Sequence, residues 1–431
     1  MLSHTPSAVK QAGEKREAGH RPPNNGELGV AEASVRSMDP EVIVCGHICL
    51  DVIPRFEAGA ARLAQVLVPG KLVNVGPAVT TTGGTVANTG LALHRLGVAT
   101  RLMGKVGDDL FGHAILELLR GHDPGLTTGM IVTAGAPTSY TIVVSPPGVD
   151  RIFLHCPGAN DTFGADDVPY DQLAGARVFH FGYPPLMRRM YVNGGEELET
   201  LFRRARQRGV ITSLDMARPD PASESGCARW RELLTRVLPH VDLFLPSLDE
   251  TLFMLDRECF SAVEAGQRGV DGALLRDTAD QLLALGAAVV ALKLGEEGLY
   301  LRTTGDACRL AALRSCVADP THWADRELLS PCFQVEVVGA TGSGDCTVAG
   351  FLAGLVYGLS PEETMTSAVA VGACNVEAAD AISGVRSWAE VQARREAGWA
   401  RRETTLRLPG WAWDGRAAIW RGPGDARRNG C

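Results

Sequence analysis

The sequence predicts an α/β protein: a three-layer, doubly wound, mostly parallel central sheet that carries a small β-sheet lid. Three observations predict it. Short β-branched runs alternate with Leu-rich helical segments through most of the chain, the rhythm of strand–helix–strand units. The rhythm breaks at residues 130–154, where Tyr140-Thr-Ile-Val-Val-Ser and Arg151-Ile-Phe-Leu-His flank Pro146-Pro-Gly and read as a hairpin of a separate sheet. Two glycine-rich turns, at Gly83-Gly84 and at Gly342-Ser343-Gly344, stand immediately before helices.

Of the 431 residues, 45% are hydrophobic and 21% charged, as in an ordinary globular protein. A formal net charge of −8, with no basic stripe in the body of the chain, argues against nucleic acid as a partner. No apolar run approaches the roughly 20 residues of a membrane span. Eleven cysteines are scattered without a Cys-x-x-Cys pair, which gives no zinc spacing and fits a reducing, cytoplasmic location.

Residues 1–38 are polar and lack hydrophobic periodicity, so they read as a disordered leader. Residues 41–49 form a buried strand that delivers Asp51 to its carboxyl end, where ligands bind in open parallel sheets. Residues 52–80 are irregular and β-prone, and with 128–156 they make the lid. Gly83 and Gly84 open the next helix. Asn88 follows one turn later on the same side, Leu91, Leu93 and Leu96 give the core face, and Gly97 ends it. Further strands are read at 101–106, 178–181, 210–215, 241–245 and 289–294, with helices near 194–208, 227–238, 249–257 and 272–285. Residues 305–332 read as a turn-rich insertion, and the β-branched run 335–338 as a core strand entering the second glycine turn. From 393 to 431 the chain is an Arg- and Trp-rich appended tail.

The second turn carries the chemistry. Glycines let backbone approach a ligand, and the unpaired N–H groups and dipole of a helix start favour an anion. Asp345 stands at that same point, where a carboxylate repels a phosphate. Its use there is to take a proton from a nucleophile attacking the phosphate. A dinucleotide fingerprint needs glycine where this chain has Thr347, and no Gly-Lys-Ser/Thr tripeptide occurs, which sets aside NAD-binding and Walker-type readings.

With both junctions placed, the chain resembles the ribokinase-like (PfkB-type) carbohydrate kinase family over roughly residues 42–388. The amino-terminal signature matches Gly83, Gly84, Asn88, Leu96-Gly97 and Lys105 through Gly112, and the carboxyl-terminal one matches Gly342, Ser343, Gly344 and Asp345. The resemblance implies transfer of the γ-phosphate of ATP, with Mg²⁺, to a hydroxyl of a small polyol, usually a sugar. It makes Asp345 the general base and Gly342, Ser343 and Gly344 the anion hole. Asp51, Gly83, Gly84 and Asn88 would bind the acceptor. Ser247 and Glu250 stand where the family has Asn-x-x-Glu, linked to magnesium and phosphate. Lys293, Gly295 and Gly298 would contact nucleotide phosphates, and Asn375 would lie near the adenine.

Some positions depart from the family. Its first Asp in the carboxyl-terminal signature is Gly339 here, which leaves dependence on a monovalent cation such as K⁺ open. A ribose-contacting Asn is Cys49, and the strand at 178 reads Phe179-His180-Phe181-Gly182, which argues against ribose itself, with His180 a candidate replacement contact. A nucleoside kinase of the same fold and a non-catalytic ligand-binding relative remain as alternatives. The lid is expected to close over the acceptor, and its edges allow a homodimer.

Overall fold

The computed structural model describes residues 40–56, 68–145 and 152–427. The expected leader, and residues 57–67 and 146–151 of the expected lid, lie outside the described residues.

Buried β-branched runs set the central sheet. Its strands are β1 (Val42–Gly46), β4 (Thr100–Met103), β9 (Val178–Gly182), β10 (Ile211–Asp215), β11 (Leu243–Phe244), β12 (Val289–Lys293), β13 (Leu299–Thr303), β14 (Glu327–Ser330), β15 (Ala412–Asp414) and β16 (Ile419–Arg421). They lie in the order β15-β16-β14-β13-β12-β11-β10-β9-β1-β4. From β4 to β12 neighbours pair parallel, and from β12 outward antiparallel.

The two-residue side-chain period of a strand explains the three layers. On β1, Val42 and Val44 join one core, and Ile43 and Cys45 join the other. β12 divides the same way, with Val289 and Ala291 on one face and Val290 and Leu292 on the opposite one. The first core is covered by α1 (Thr85–Arg95), α2 (Leu110–Arg120), α8 (Ser343–Val356), α9 (Pro361–Asn375) and α10 (Trp388–Glu396). The second is covered by α3 (Glu196–Gln207), α4 (Trp230–Val237), α5 (Leu248–Leu255), α6 (Arg257–Glu264) and α7 (Gly272–Ala284).

A separate four-stranded sheet has the order β3-β2-β7-β8, from β2 (Cys49–Arg55), β3 (Gly76–Gly83), β7 (Tyr140–Val144) and β8 (Ile152–Cys156). The hairpin pairing of β7 with β8 is antiparallel, while β2 pairs parallel with β7. The single strand read at 101–106 is two: β5 (Lys105–Gly107) leaves the main sheet to pair with β6 (Ile131–Thr133).

Three sequence expectations are corrected. Residues 335–338 are not a strand; Val337 and Val338 are 64% and 60% exposed. Both edges of β14, the adjacent strand in sequence, are already taken by β13 and β16, so β propensity has no ladder to join. Residues 305–332 are not only an insertion, because they contain β14 itself. The tail is not appended to the surface: β16 pairs with β14 and extends the sheet. Its Asp425 meets the fully buried Arg326 at 2.7 Å.

Candidate active site

The parallel strands end on one side of the sheet and bring their last residues together. Gly342 caps α8 in the left-handed region (φ 72°), and a Cβ there would stand 2.6 Å from the Ala381 carbonyl oxygen. Only glycine meets both conditions. One turn on, Asp345 is 3% exposed. Its carboxylate accepts from Asn88 Nδ2 at 2.9 Å, from Thr89 Oγ1 at 3.3 Å, and from the Tyr183 hydroxyl at 2.8 Å on both oxygens. Burial pushes Asp345 above the ordinary carboxylate range, while these donors and the charge of Lys293 pull it back.

Lys293, the last residue of β12, passes 3.7 Å from where a Cβ of Gly344 would be, and its Nζ lies 2.7 Å from Oδ1 of Asp215 at the end of β10. Burial disfavours its charge, but Asp215 and Glu250 hold the ammonium above the ordinary lysine value. Burial raises both carboxyls in turn, and Asp215 Oδ2 has no partner. Ser247 and Glu250 form a reciprocal cap at the start of α5: the Ser247 N–H donates to Glu250 Oε2 at 2.7 Å, and Ser247 Oγ accepts from the Glu250 N–H.

Part of this group borders a cavity of about 990 Å³, ample for a nucleotide. Tyr183, Ser247, Glu250, Lys293, Gly295 and Gly298 line it, and so do residues 342–345. Gly298 is at φ 103°, with a Cβ position 2.1 Å from the Ser330 carbonyl oxygen, so this loop also requires glycine.

Asp51, Gly83, Gly84 and Asn88 lie outside the cavity wall, and Asn88 joins that group to Asp345. A Cβ on Gly83 would fall 2.4 Å from Asp51 Oδ2, and one on Gly84 (φ 86°) 2.5 Å from His47 Nδ1. Asp51 accepts from Cys49 Sγ at 3.3 Å, and burial raises its carboxyl. His47, 2% exposed, has neither ring nitrogen paired, and its ring centroid is 5.3 Å from that of His155 on β8. Burial, then His155, lowers it to about 3, so it is a neutral imidazole with one donor and one acceptor to offer.

Two expected residues are placed elsewhere. Asn375 does not line the cavity; its amide donates to the Ala381 carbonyl at 2.6 Å and braces the loop packed on Gly342. His180 is fully buried in the sheet, bonded to Ser213 Oγ at 2.9 Å, a satisfied interior histidine. At Gly339 a Cβ would meet the Ala378 and Ala379 carbonyl oxygens at 2.9 and 3.0 Å, so backbone packs where the family pattern has a carboxylate.

Sequence reasoning missed Tyr183, Asp215, Thr89 and His47. The strand-end rule fits Asp215, the last residue of β10, and not Asp51, which lies inside β2 of the small sheet rather than at the end of β1. Tyr183 gave no such signal: it sits left-handed (φ 66°, ψ 39°) just after β9, a strained state for a bulky residue that marks a constrained site.

Among the described residues no group of three or more His, Cys, Asp or Glu side chains could hold a metal ion, and no helix is long and apolar enough to cross a membrane. The ten described cysteines are free.

The pattern of the pfkB family carbohydrate kinases matches residues 39–388. The chain belongs to that family. Among pfkB-family relatives, an uncharacterized sugar kinase of Archaeoglobus fulgidus is 24% identical over 63% of this chain and 89% of its own length. A 2-dehydro-3-deoxygluconokinase of Thermoproteus tenax is 27% identical over 67% and 78%. In structure, this family member resembles Arabidopsis thaliana ribokinase complexed with ribose and ATP (19% identity, TM-score 0.61, 83% of this chain and 98% of that one). It likewise resembles a putative ribokinase II from E. coli in complex with ATP and Mg²⁺ (19%, 0.60, 83% and 99%). At that identity the likeness shows a shared fold.

Proposed function

We propose that this pfkB-family chain transfers the γ-phosphate of ATP to a hydroxyl of a sugar or sugar-like polyol. The observation that carries this reading is the seat of Asp345: a buried carboxylate, held by three side-chain donors, one turn into the helix that Gly342 opens and beside Lys293. Asp345 takes the hydroxyl proton as the acceptor oxygen bonds to the γ-phosphorus and the bond from that phosphorus to the bridging oxygen breaks, releasing ADP. The N–H groups of residues 342–344 and the Lys293 ammonium offset charge on the migrating phosphoryl group, so catalysis is chiefly positioning and electrostatics.

Asp51, Gly83, Gly84 and the unpaired His47 are assigned to the acceptor's other hydroxyls. Ser247, Glu250, Lys293, Gly295 and Gly298 are assigned to the nucleotide. The donor chemistry fits Mg²⁺, an ion usually held by one or two carboxylates plus phosphates rather than by a full protein cage. Glu250 and Asp215, with its unpartnered Oδ2, are the residues that would hold it, and the ion supplies positive charge to the phosphates. Gly339 offers no carboxylate for a monovalent cation.

The small sheet is assigned to close over the acceptor and exclude water, which competes as a nucleophile. Its exposed Val79 (53%), Phe153 (57%) and Leu154 (53%) support a homodimer through that sheet, a point sedimentation at micromolar concentration decides.

The test is ADP release and product mass across neutral sugars, sugar acids and nucleosides. Wild type should phosphorylate one class, and Asp345→Asn should lose about 10²–10⁴ in kcat. Retention of the wild-type rate by Asp345→Asn would remove the base assignment, and transfer to nucleosides alone would move the acceptor class.

A further inference from the structure

We propose that the segment beyond the family-matched region, centred on residues 399–407, is a working wall of the nucleotide site and sets affinity for the nucleotide. This rests on the phosphotransfer reading above and adds to it a binding element from outside residues 39–388.

The cavity lining joins Lys293 and residues 342–345 to apolar side chains such as Val335 and Val369. Arg402 and Leu406 line it directly. A nucleoside triphosphate with its terminal phosphate at Gly342 leaves its base and sugar to the rest of this cavity, whose lining includes Leu406. Leu406 therefore offers apolar surface to the base.

The segment is pinned on three sides. Toward the phosphate loop, Arg402 meets Glu296 at 2.7 Å, and Glu297 accepts from Thr404 Oγ1 at 2.6 Å and from the Thr405 N–H at 3.1 Å. Toward the stretch after β14, the Gln334 N–H donates to the Ala400 carbonyl, and the Arg402 N–H donates to the Cys332 carbonyl. Trp399 stacks on Phe333 there with ring centroids 4.3 Å apart. Toward α7, the Gly272 N–H donates to the Arg407 carbonyl at 3.0 Å. The bonds to Glu296 and Glu297 hold the Gly295–Gly298 turn, so the same segment both faces the ligand and fixes the loop assigned to its phosphates. Nucleotide binding and ordering of the segment are then linked, each favouring the other.

The experiment is calorimetric binding of MgADP to the full-length protein without acceptor, with hydrogen exchange over residues 399–408. Leu406→Ala and Arg402→Ala are compared with Trp413→Ala, a 45% exposed site on β15 of the same extension. The expected result is a Kd weakened about fivefold to thirtyfold by Leu406→Ala. Arg402→Ala should weaken it measurably and Trp413→Ala leave it unchanged, and MgADP should slow exchange in the segment. Wild-type Kd in both cavity variants, or exchange that MgADP leaves unaltered, overturns this proposal alone. Failure of the wild type to bind MgADP overturns it together with the phosphotransfer reading.

Discussion

The Tyr183 hydroxyl lies 2.8 Å from each carboxylate oxygen of Asp345, so the residue assigned to take a proton is itself held by a phenol donor. A donor to a carboxylate favours the ionised form, opposing the burial that raises Asp345. Tyr183→Phe deletes that donor and keeps the ring. Hydrogen bonds to charged groups contribute about 1.5–3 kcal/mol, equivalent to roughly 1–2 pH units. A base works only when ionised, and its activity fails as pH falls through its pKa. The acid limb of kcat/KM should therefore move upward by about one unit in Tyr183→Phe, with rates converging at alkaline pH. An unmoved limb would show that Tyr183 does not govern the ionisation.

Asp345 should also be costly to stability. Its folded-state pKa is raised, so the folded protein holds the proton more tightly than the unfolded chain does. Its stabilising contribution is complete below the unfolded value near 4 and is lost as pH rises through the folded one. Asp345→Asn should thus melt higher than wild type at pH 8, and the gap should close toward pH 4. A gap that is constant with pH would contradict the buried, proton-retaining carboxyl.

Lys293 and Asp215 form a buried pair, 11% and 0% exposed in their side chains. Removing one partner strands a charge, typically at about 3–5 kcal/mol, whereas removing both need not. Lys293→Ala should unfold at markedly lower urea, and Lys293→Ala with Asp215→Asn should regain much of the loss without regaining activity. Additive losses in the double-mutant cycle would show the pair to be uncoupled.

Arg326 and Asp425 are both 0% exposed in their side chains, and Arg421 and Glu362 complete the cluster. Asp425→Ala leaves a buried guanidinium with Glu362 as its remaining carboxylate partner. A loss of about 3 kcal/mol or more is expected in equilibrium unfolding. A change within 0.5 kcal/mol would show that the extension closes no essential contact.

Much of the central sheet was legible because local pattern and tertiary role agree. Val42 to Cys45 are apolar on both faces since both are covered, and Gly342 to Asp345 announce a turn whose neighbours demand glycine. Where the two disagree, the reading failed. Residues 335–338 have the propensity of a strand but follow β14, whose two edges are already paired with β13 and β16. Asn375 falls on the helix that borders the cavity, but helical position does not reveal that its amide turns inward to Ala381. Tyr183 reads as one more aromatic after a core strand, and its left-handed backbone exists only in the fold. The extension pairs through three-residue strands, too short for any periodicity to register.

Pairing of β16 with β14 constrains the order of events during synthesis. The strands at one end of the sheet, β4, β1, β9 and β10, have all been made by residue 215, so their ladder can assemble while the ribosome is still translating. The opposite rim waits for residues 412–425, made only after all of those strands, and until they arrive β14 has a bare outer edge and Arg326 lacks its buried aspartate. A nascent chain arrested before that point would carry an open strand available to other polypeptides, the exposure that invites aggregation.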